Sequence, residues 1–459
     1  MGQNLSREIG LPSATVLVIA NMVGTGIFTL SGFILLELQN TQLLLLCWLL
    51  GGLFALIGAL CYGELGAMFP HAGGEYVYLR EIFGPLSAFV SGWISLIVGF
   101  SAPIAAAAIA FATYLLGSEH VAWFSFSLFG VAILDFSLIT FIAILTVVLL
   151  SYVHIHSVRL GKNTQNFLTA FKIFFVLFLI FGGFFFGKGD FLRIEEAFFT
   201  SAQSVSYGAL AVSLVFISFA YSGYNAASYL GGEIKNPQRN LPLSLFLGTL
   251  FVTALYLLLN LVYIYALPQE QMSGMLEVAT GAAQNLFGDT LGSLIGIAIA
   301  LGLLSVVSAM VMAGPRVYYA MAKDGLFFQK FEHVCDKRKT PVHAIILQAF
   351  LAIVMIVTST FETLLIYIGL TLSLSSMLSV YGLMRLRSKE PTRERPYKTP
   401  LYPLLPILFL LANGGIVLFS LLNKPQAALY ALATIGLGVM FYFFFQNKEP
   451  KNRLSKTLL

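Results

Sequence analysis

Charge is scarce in this sequence. Of its 459 residues only 10% are Asp, Glu, Lys or Arg, against about 25% in a typical soluble domain. The charges lie in clusters, and between them run uncharged stretches such as 41–62, 136–152, 241–267 and 402–422. A membrane-spanning helix needs about 20 predominantly apolar residues, so these stretches read as transmembrane helices rather than core helices. With 58% hydrophobic residues, the chain reads as an all-α polytopic membrane protein.

Cysteine is nearly absent too. Cys47 and Cys61 fall in one span and Cys335 in a loop expected on the cytoplasmic side, where thiols stay reduced, so no disulfide framework is expected. The sequence has no Walker A motif, no metal-ligand cluster and no soluble domain large enough to hold one. That excludes a pump driven by its own nucleotide hydrolysis, unless a separate subunit supplies it, and no cofactor or metal is expected. The N-terminal MGQNLSREIG lacks the charged region, short apolar core and cleavage site of a signal peptide. MGQNLS matches a myristoylation pattern, read here as chance, since a chain with twelve spans gains little from an acyl anchor.

Counting the apolar runs predicts twelve transmembrane helices, near 13–38, 41–67, 83–116, 133–152, 163–187, 206–231, 241–267, 288–320, 341–360, 362–386, 401–422 and 425–446. Basic residues set their direction. With a cytoplasmic N-terminus, twenty-one Lys and Arg residues fall on the inner side and only Lys188, Arg193 and Lys424 on the outer. Both termini are therefore expected in the cytoplasm, with the chain multi-pass in the cell (inner) membrane. The net charge of +5 then reflects topology, and no nucleic-acid partner is expected.

The first span contains IANMVGTGIFTLSG (19–32), with Gly24, Thr25 and Gly26 at its centre. Glycine inside a helix costs roughly 1 kcal/mol relative to alanine, so the weakest point of the span sits at mid-membrane. The sixth span repeats the feature, with Ser222, Gly223 and Asn225 in the middle of FISFAYSGYNAASYLGG (216–232). Close helix packing would account for one such group of small residues alone. Two interrupted spans five apart are the sequence mark of an inverted-repeat transporter. The expected organisation is a cytoplasmic tail (1–12), a first repeat of helices 1–5 (13–187), a second of helices 6–10 (206–386), helices 11 and 12 (401–446) and a cytoplasmic tail (447–459).

Further motifs occur in order over residues 9 to about 425. They are VGTGIF in span 1, GALCYGELGAMFPHAGGEYVYLREIFGPLSAFVSGW across span 2 and the following loop, and FAYSGYNAASYLGGEIKNPQRNLP in span 6. GPRVYYAMAKDGLF and TPVHA follow span 8, and RPYKTPLYPLLP enters span 11. The ordered set resembles the amino acid–polyamine–organocation permeases, specifically their L-type amino acid transporter branch. The resemblance implies a leucine-transporter-like fold of five plus five inverted helices, broken in helices 1 and 6, with an amino acid bound at the bilayer midplane.

A break exposes backbone groups that the bilayer cannot satisfy. The half-helix beginning at Gly24, Thr25, Gly26 and Ile27 would offer free N–H groups and a positive dipole end to an α-carboxylate, with glycine allowing close approach. Carbonyls of Phe219, Ala220 and Ser222 would accept from the α-ammonium, joined in the family by the carbonyl matching Met22. Phe219 also matches the family's aromatic gate. Tyr224 stands where the branch often has tryptophan, and Asn225 where permeases for arginine and its decarboxylation product carry a carboxylate. No Asp or Glu lies in either break, the nearest being Glu233. An unpaired cation there would be costly, so neutral amino acids are expected.

Lys172 matches a family lysine whose ammonium fills the ion position of sodium-coupled relatives, between helices 1 and 8. Ser305 or Ser308 are its expected helix-8 partners, and sodium independence follows from the match; snorkelling to the cytoplasmic surface is the alternative. Glu64 and Glu75 are expected at or near that surface, with KNPQRN and KDGLF in loop and gate contacts, and His154 and His156 as solvated residues. Eukaryotic L-type carriers pair with a glycoprotein through a cysteine between helices 3 and 4. The loop here, GSEHVAW, has none, so no covalent heavy-chain partner is expected, only a monomer or weak homodimer in the lipid bilayer.

The function expected is secondary transport of neutral L-amino acids by alternating access, as exchanger or uniporter. A proton-coupled or cationic amino acid/polyamine permease of the same fold is the alternative. A membrane enzyme would need His, Asp, Glu or Cys clustered near one interface, whereas the acids of the outer loops, such as Glu119, Asp190 and Glu270, are spread over separate loops. A non-transporting nutrient sensor would usually carry a sizeable signalling tail, unlike the short tails expected here.

Overall fold

The computed structural model describes residues 7, 9–117, 123–128, 131–199, 207–333 and 340–448. Among them, ten helical stretches are long and apolar enough to cross a membrane, and two shorter apolar helices, Tyr207–Ala220 and Val342–Thr358, stand beside them. The chain is a multi-pass membrane protein.

In chain order the first helices are α1 (Leu11–Met22), α2 (Thr25–Leu38), α3 (Thr41–Met68), α4 (Glu75–Phe83), α5 (Pro85–Ile94) and α6 (Ala102–Leu116). Strands β1 (Phe124–Leu128) and β2 (Val131–Phe136) follow, then α7 (Leu138–His156), α8 (Val158–Phe186), α9 (Phe191–Phe199) and α10 (Tyr207–Ala220). After these come α11 (Pro237–Ala266), α12 (Gln269–Met272), α13 (Val278–Phe287) and α14 (Asp289–Lys323). The last four are α15 (Val342–Thr358), α16 (Phe361–Lys389), α17 (Leu404–Asn423) and α18 (Pro425–Lys448). A helix start leaves orphan N–H donors. The side chains of Asn40, Ser137, Ser157 and Thr360 accept one such bond each at the starts of α3, α7, α8 and α16.

Burial separates centre from rim. Of the apolar windows in Leu11–Leu38 and in Pro85–Leu116, 83% lies buried, against 28% in α17 and in Pro425–Phe445. The broken first span therefore runs through the middle of the bundle, and the last two helices flank it.

Three spans differ from the sequence expectation. The run 133–152 is not one helix: β1 and β2 pair antiparallel, with Phe124 opposite Phe136, and α7 starts only after the Ser137 cap. Alternation in FSFSL suits a strand, and VAILDF pairs with it, so the described chain is not purely α. The run 206–231 is helical only to Ala220, and two short 3₁₀ turns, Ala226–Tyr229 and Gly231–Glu233, replace its second half. The run 83–116 contains a π-helical segment, Ser95–Ser101. Pro103 has no N–H to return to the carbonyl of Gly99, and the ladder widens just ahead of it.

Candidate functional site

The two breaks face each other. α1 stops at Met22, α2 begins at Thr25, and no side chain caps the N-terminus of α2. α10 stops at Ala220, and the chain turns through a 2.9 Å bond from the Ser222 N–H to the Phe219 carbonyl. Gly223 has φ +95°, and a Cβ there would lie 3.2 Å from the backbone carbonyl of Asn21. Only glycine combines that conformation with that approach.

Between the breaks lies a small space of about 20 Å³, lined by Gly24, Thr25, Gly26, Phe219, Ala220 and Ser222 among others. That is room for about one water, so an amino acid requires the breaks to part. Met22 and Phe219, expected at the site, lie at its wall, whereas Ile27 is fully buried and lines neither this space nor the larger one described below.

Two expectations need correction. Gly26 was expected to admit a ligand, but a Cβ on it would sit 2.7 Å from Ala220 Cα and Cβ. Its bareness lets α10 pack on α2. Gly24 has nothing nearer than 3.7 Å and is the glycine that leaves space. The Met22 and Ala220 carbonyls are also not simply free: the Tyr256 hydroxyl of α11 lies 2.5 Å from the first and 3.1 Å from the second. One hydroxyl carries one proton, so it ties the breaks together while leaving acceptor capacity. Sequence reading missed Tyr256, one of twenty tyrosines, because only the fold brings it to the breaks.

Lys172 is 1% exposed, so it does not snorkel. Its ammonium donates to the Ala20 carbonyl at 3.0 Å and to that of Val23, both at the end of α1, and its stem packs at Gly302 of α14. The expected serine partners are placed otherwise. Ser308 is 2.8 Å from His154 Nε2, and the Ser305 hydroxyl is buried without a hydrogen-bond partner. His154, expected in solvent, is buried by this contact; His156 is exposed, as expected.

A larger cavity of about 110 Å³ adjoins the first, sharing Asn21, Pro103, Ser222 and Met310 as lining. Tyr224 and Asn225 line this one, with Glu75 and Arg316. Glu75 is 4% exposed, which overturns its expected surface position. Its Oε1 accepts from the Tyr62 hydroxyl at 2.5 Å and from Asn225 Nδ2 at 3.0 Å, and its Oε2 from the Ser375 hydroxyl at 2.6 Å. An acid therefore does stand beside the second break, supplied by α4 and not by the break itself. Gly73 and Gly74, at φ +123° and +54°, steer the chain there, and a Cβ on Gly74 would strike the Tyr229 ring at 2.7 Å. Burial pushes the Glu75 carboxyl above its ordinary pKa, opposed by the bonds from Ser375, Tyr62 and Asn225. Arg316 follows Pro315 and donates to the Met312 carbonyl; the sequence reading passed over it.

At the end of the bundle rich in Lys and Arg, Arg80 of α4 meets Asp324 after α14 at 2.5 Å, and the Tyr76 hydroxyl meets the same carboxylate at 2.6 Å. KDGLF is thereby tied to α4 through Asp324. Glu64, also expected at the surface, is fully buried against Arg387 and Arg395. Among the described residues no group of three or more His, Cys, Asp or Glu could hold a metal ion. Cys335 lies outside the described residues.

Irregular backbone at membrane depth is tolerated where it is buried in protein or lines a cavity, and two broken spans meeting at such a cavity define the architecture of a solute transporter. The chain belongs to the amino acid permease family, which matches residues 9–445. It is 31% identical over 455 residues to the large neutral amino acids transporter small subunit 2 of Mus musculus, covering 98% of this chain and 83% of that protein. It is 29% identical over 451 residues to the b(0,+)-type amino acid transporter 1 of Mus musculus, covering 96% and 88%. Similarity to the serine/threonine exchanger SteT of Bacillus subtilis (strain 168) is 31% over 449 residues, covering 97% and 98%.

Proposed function

We propose that this protein moves neutral L-amino acids across the inner membrane by alternating access, as an exchanger or uniporter independent of sodium. Support comes from the breaks: the uncapped N-terminus of α2 suits an α-carboxylate, and the Ala220 and Met22 carbonyls, each with a second lone pair, suit an α-ammonium. Phe219 would gate this space, and Tyr224 and Asn225 would meet the side chain in the adjoining cavity. Twelve membrane helices, five plus five as inverted repeats (13–187 and 206–386) with two appended, both termini in the cytoplasm and no covalent heavy chain, complete the proposal. The Lys172 ammonium, bonded to two carbonyls of the α1 terminus, does the work of a bound cation there.

Counterflow in proteoliposomes with a panel of labelled amino acids tests the reading, in sodium and in choline buffer. Equal rates in the two buffers are expected, and neutral substrates should outcompete arginine at least about tenfold, or ~1.4 kcal/mol. Severalfold stimulation by sodium, or arginine competing as well as leucine, overturns it. Lys172→Ala should slow turnover by about tenfold or more, ~1.4 kcal/mol of barrier, and wild-type turnover would leave the lysine a packing role only.

A further inference from the structure

Glu75 is a buried carboxylate. Among the described residues no Lys, Arg or His nitrogen lies within 4.0 Å of it, whereas Glu64 has two arginines. A buried charge is costly unless paired, and three neutral donors relieve that cost only in part. The groups facing it are titratable but neutral at ordinary pH: Tyr62 from α3, Tyr78 from its own helix, and Tyr224 and Tyr229 from the stretch after the second break. From α14, Arg316 lines the same cavity without pairing with it. From α16 the contact is the Ser375 hydroxyl.

The surroundings are also a joint. The loop ahead of Glu75 is stitched to the stretch after the second break, Gly73 N–H to the Tyr229 carbonyl at 3.1 Å and Ala72 bridged to Leu230. Asn225, next to the break, is held by Glu75 itself. Any movement of that stretch changes the environment of the carboxylate, and any change in its charge alters the grip on Asn225, since a bond to an ionised acceptor is about twice as strong as one to a neutral group.

We propose that Glu75 is a proton-binding site of the transport cycle, exchanging its proton with water in the 110 Å³ cavity as the inner half of the second broken span docks and leaves. The proposal rests on the reading of the chain as an amino acid transporter and deepens it. The step is one proton passing between hydronium and the carboxylate oxygen, leaving water; no other bond forms or breaks. The cavity has room for several waters at about 10–15 Å³ each. When the acid is protonated, its O–H donates to the Tyr62 or Ser375 hydroxyl, each of which turns to accept, so no neighbour is displaced. A substrate ammonium fits worse: three donors leave about one of the carboxylate's four lone pairs open, and Arg316 in the same cavity opposes a second cation.

The test is the pH profile of counterflow in proteoliposomes, using the labelled amino acid with the fastest exchange and equal pH on both sides. Each variant is scaled to its own maximum. Protonation loosens the hold on Asn225, so the wild-type rate should fall severalfold from acidic to alkaline pH. Glu75→Gln should flatten the profile. Ser375→Ala removes a donor that favours the ionised form, so its midpoint should move to higher pH; this arm decides the matter if Glu75→Gln does not fold. A Glu75→Gln profile as steep as wild type, or a Ser375→Ala midpoint that is unmoved or lower, overturns the proposal. So does arginine competing strongly in the wild type and losing that ability in Glu75→Gln, which would make Glu75 a counter-ion for substrate. No uptake of any labelled amino acid by the wild type would instead overturn the transporter reading and this proposal with it.

Discussion

Two buried carboxylates flank the loop after α3, and their surroundings are opposite. Glu64 is fully buried and saturated with charge: Arg387 reaches its two oxygens at 2.8 and 2.5 Å, Arg395 stands at 3.4 Å, and the Thr399 N–H donates at 2.7 Å. Arg387 also stacks over the Tyr402 ring at 3.9 Å. Glu75 has hydroxyls and one amide, and no cation among the described residues within 4.0 Å. The first arrangement locks α3, α16 and the segment before α17 into one body. The second leaves a charge whose cost depends on proton concentration, at a point where the chain is jointed. Burial alone therefore does not define a role; the partners do.

Breaking the first site should have the largest effect. Glu64→Ala takes the carboxylate from Arg387 and leaves the Thr399 N–H and Arg395 Nε without their acceptor charge, and removing one partner of a buried pair costs about 3–5 kcal/mol. Thermal unfolding in detergent should show a large drop, and an unchanged midpoint would mean that the cluster is no lock. Arg387→Met should cost less, about 1–3 kcal/mol, because Arg395 and the Thr399 N–H still hold the carboxylate and the methionine stem still covers Tyr402. If it costs as much as Glu64→Ala, Arg395 contributes nothing.

The smallest effect is expected at Glu75, and its sign depends on pH. A carboxyl whose folded pKa lies above its unfolded value binds its proton more tightly when folded. The stability it contributes is complete below the unfolded pKa and is lost as pH rises through the folded one. Wild type should thus lose ground to Glu75→Gln on going from acidic towards alkaline pH. Unfolding midpoints of both proteins across that range check this, and a difference constant with pH would erase the contrast between the two sites.

How much of this was legible beforehand varies from residue to residue. The breaks were, because glycine and serine weaken a helix wherever the helix ends up: Gly24 and Gly223 sit where α1 and α10 give out. The facing of Gly26 was not. Its contact with Ala220 is a property of two helices meeting, and a Gly-x-Gly motif reads the same for a ligand path as for a packing face. The family match placed the Lys172 ammonium at helix 1, while Ser308 went to His154, a buried residue expected in water because it flanks a basic loop.

Hydropathy and small-residue positions, both local properties, were enough to establish a polytopic membrane chain with two weak points at mid-membrane, and the ordered motifs were enough to point to its family. Tertiary structure alone decided which groups meet at those points. Glu75 and Asn225 are 150 residues apart, Glu64 and Arg387 are 323, and Tyr256 reaches Met22 across 234. Helix propensity and hydropathy act over a few turns of one segment, whereas a hydrogen bond across such separations exists only after the segments have packed. The breaks belong to the sequence and their partners to the fold.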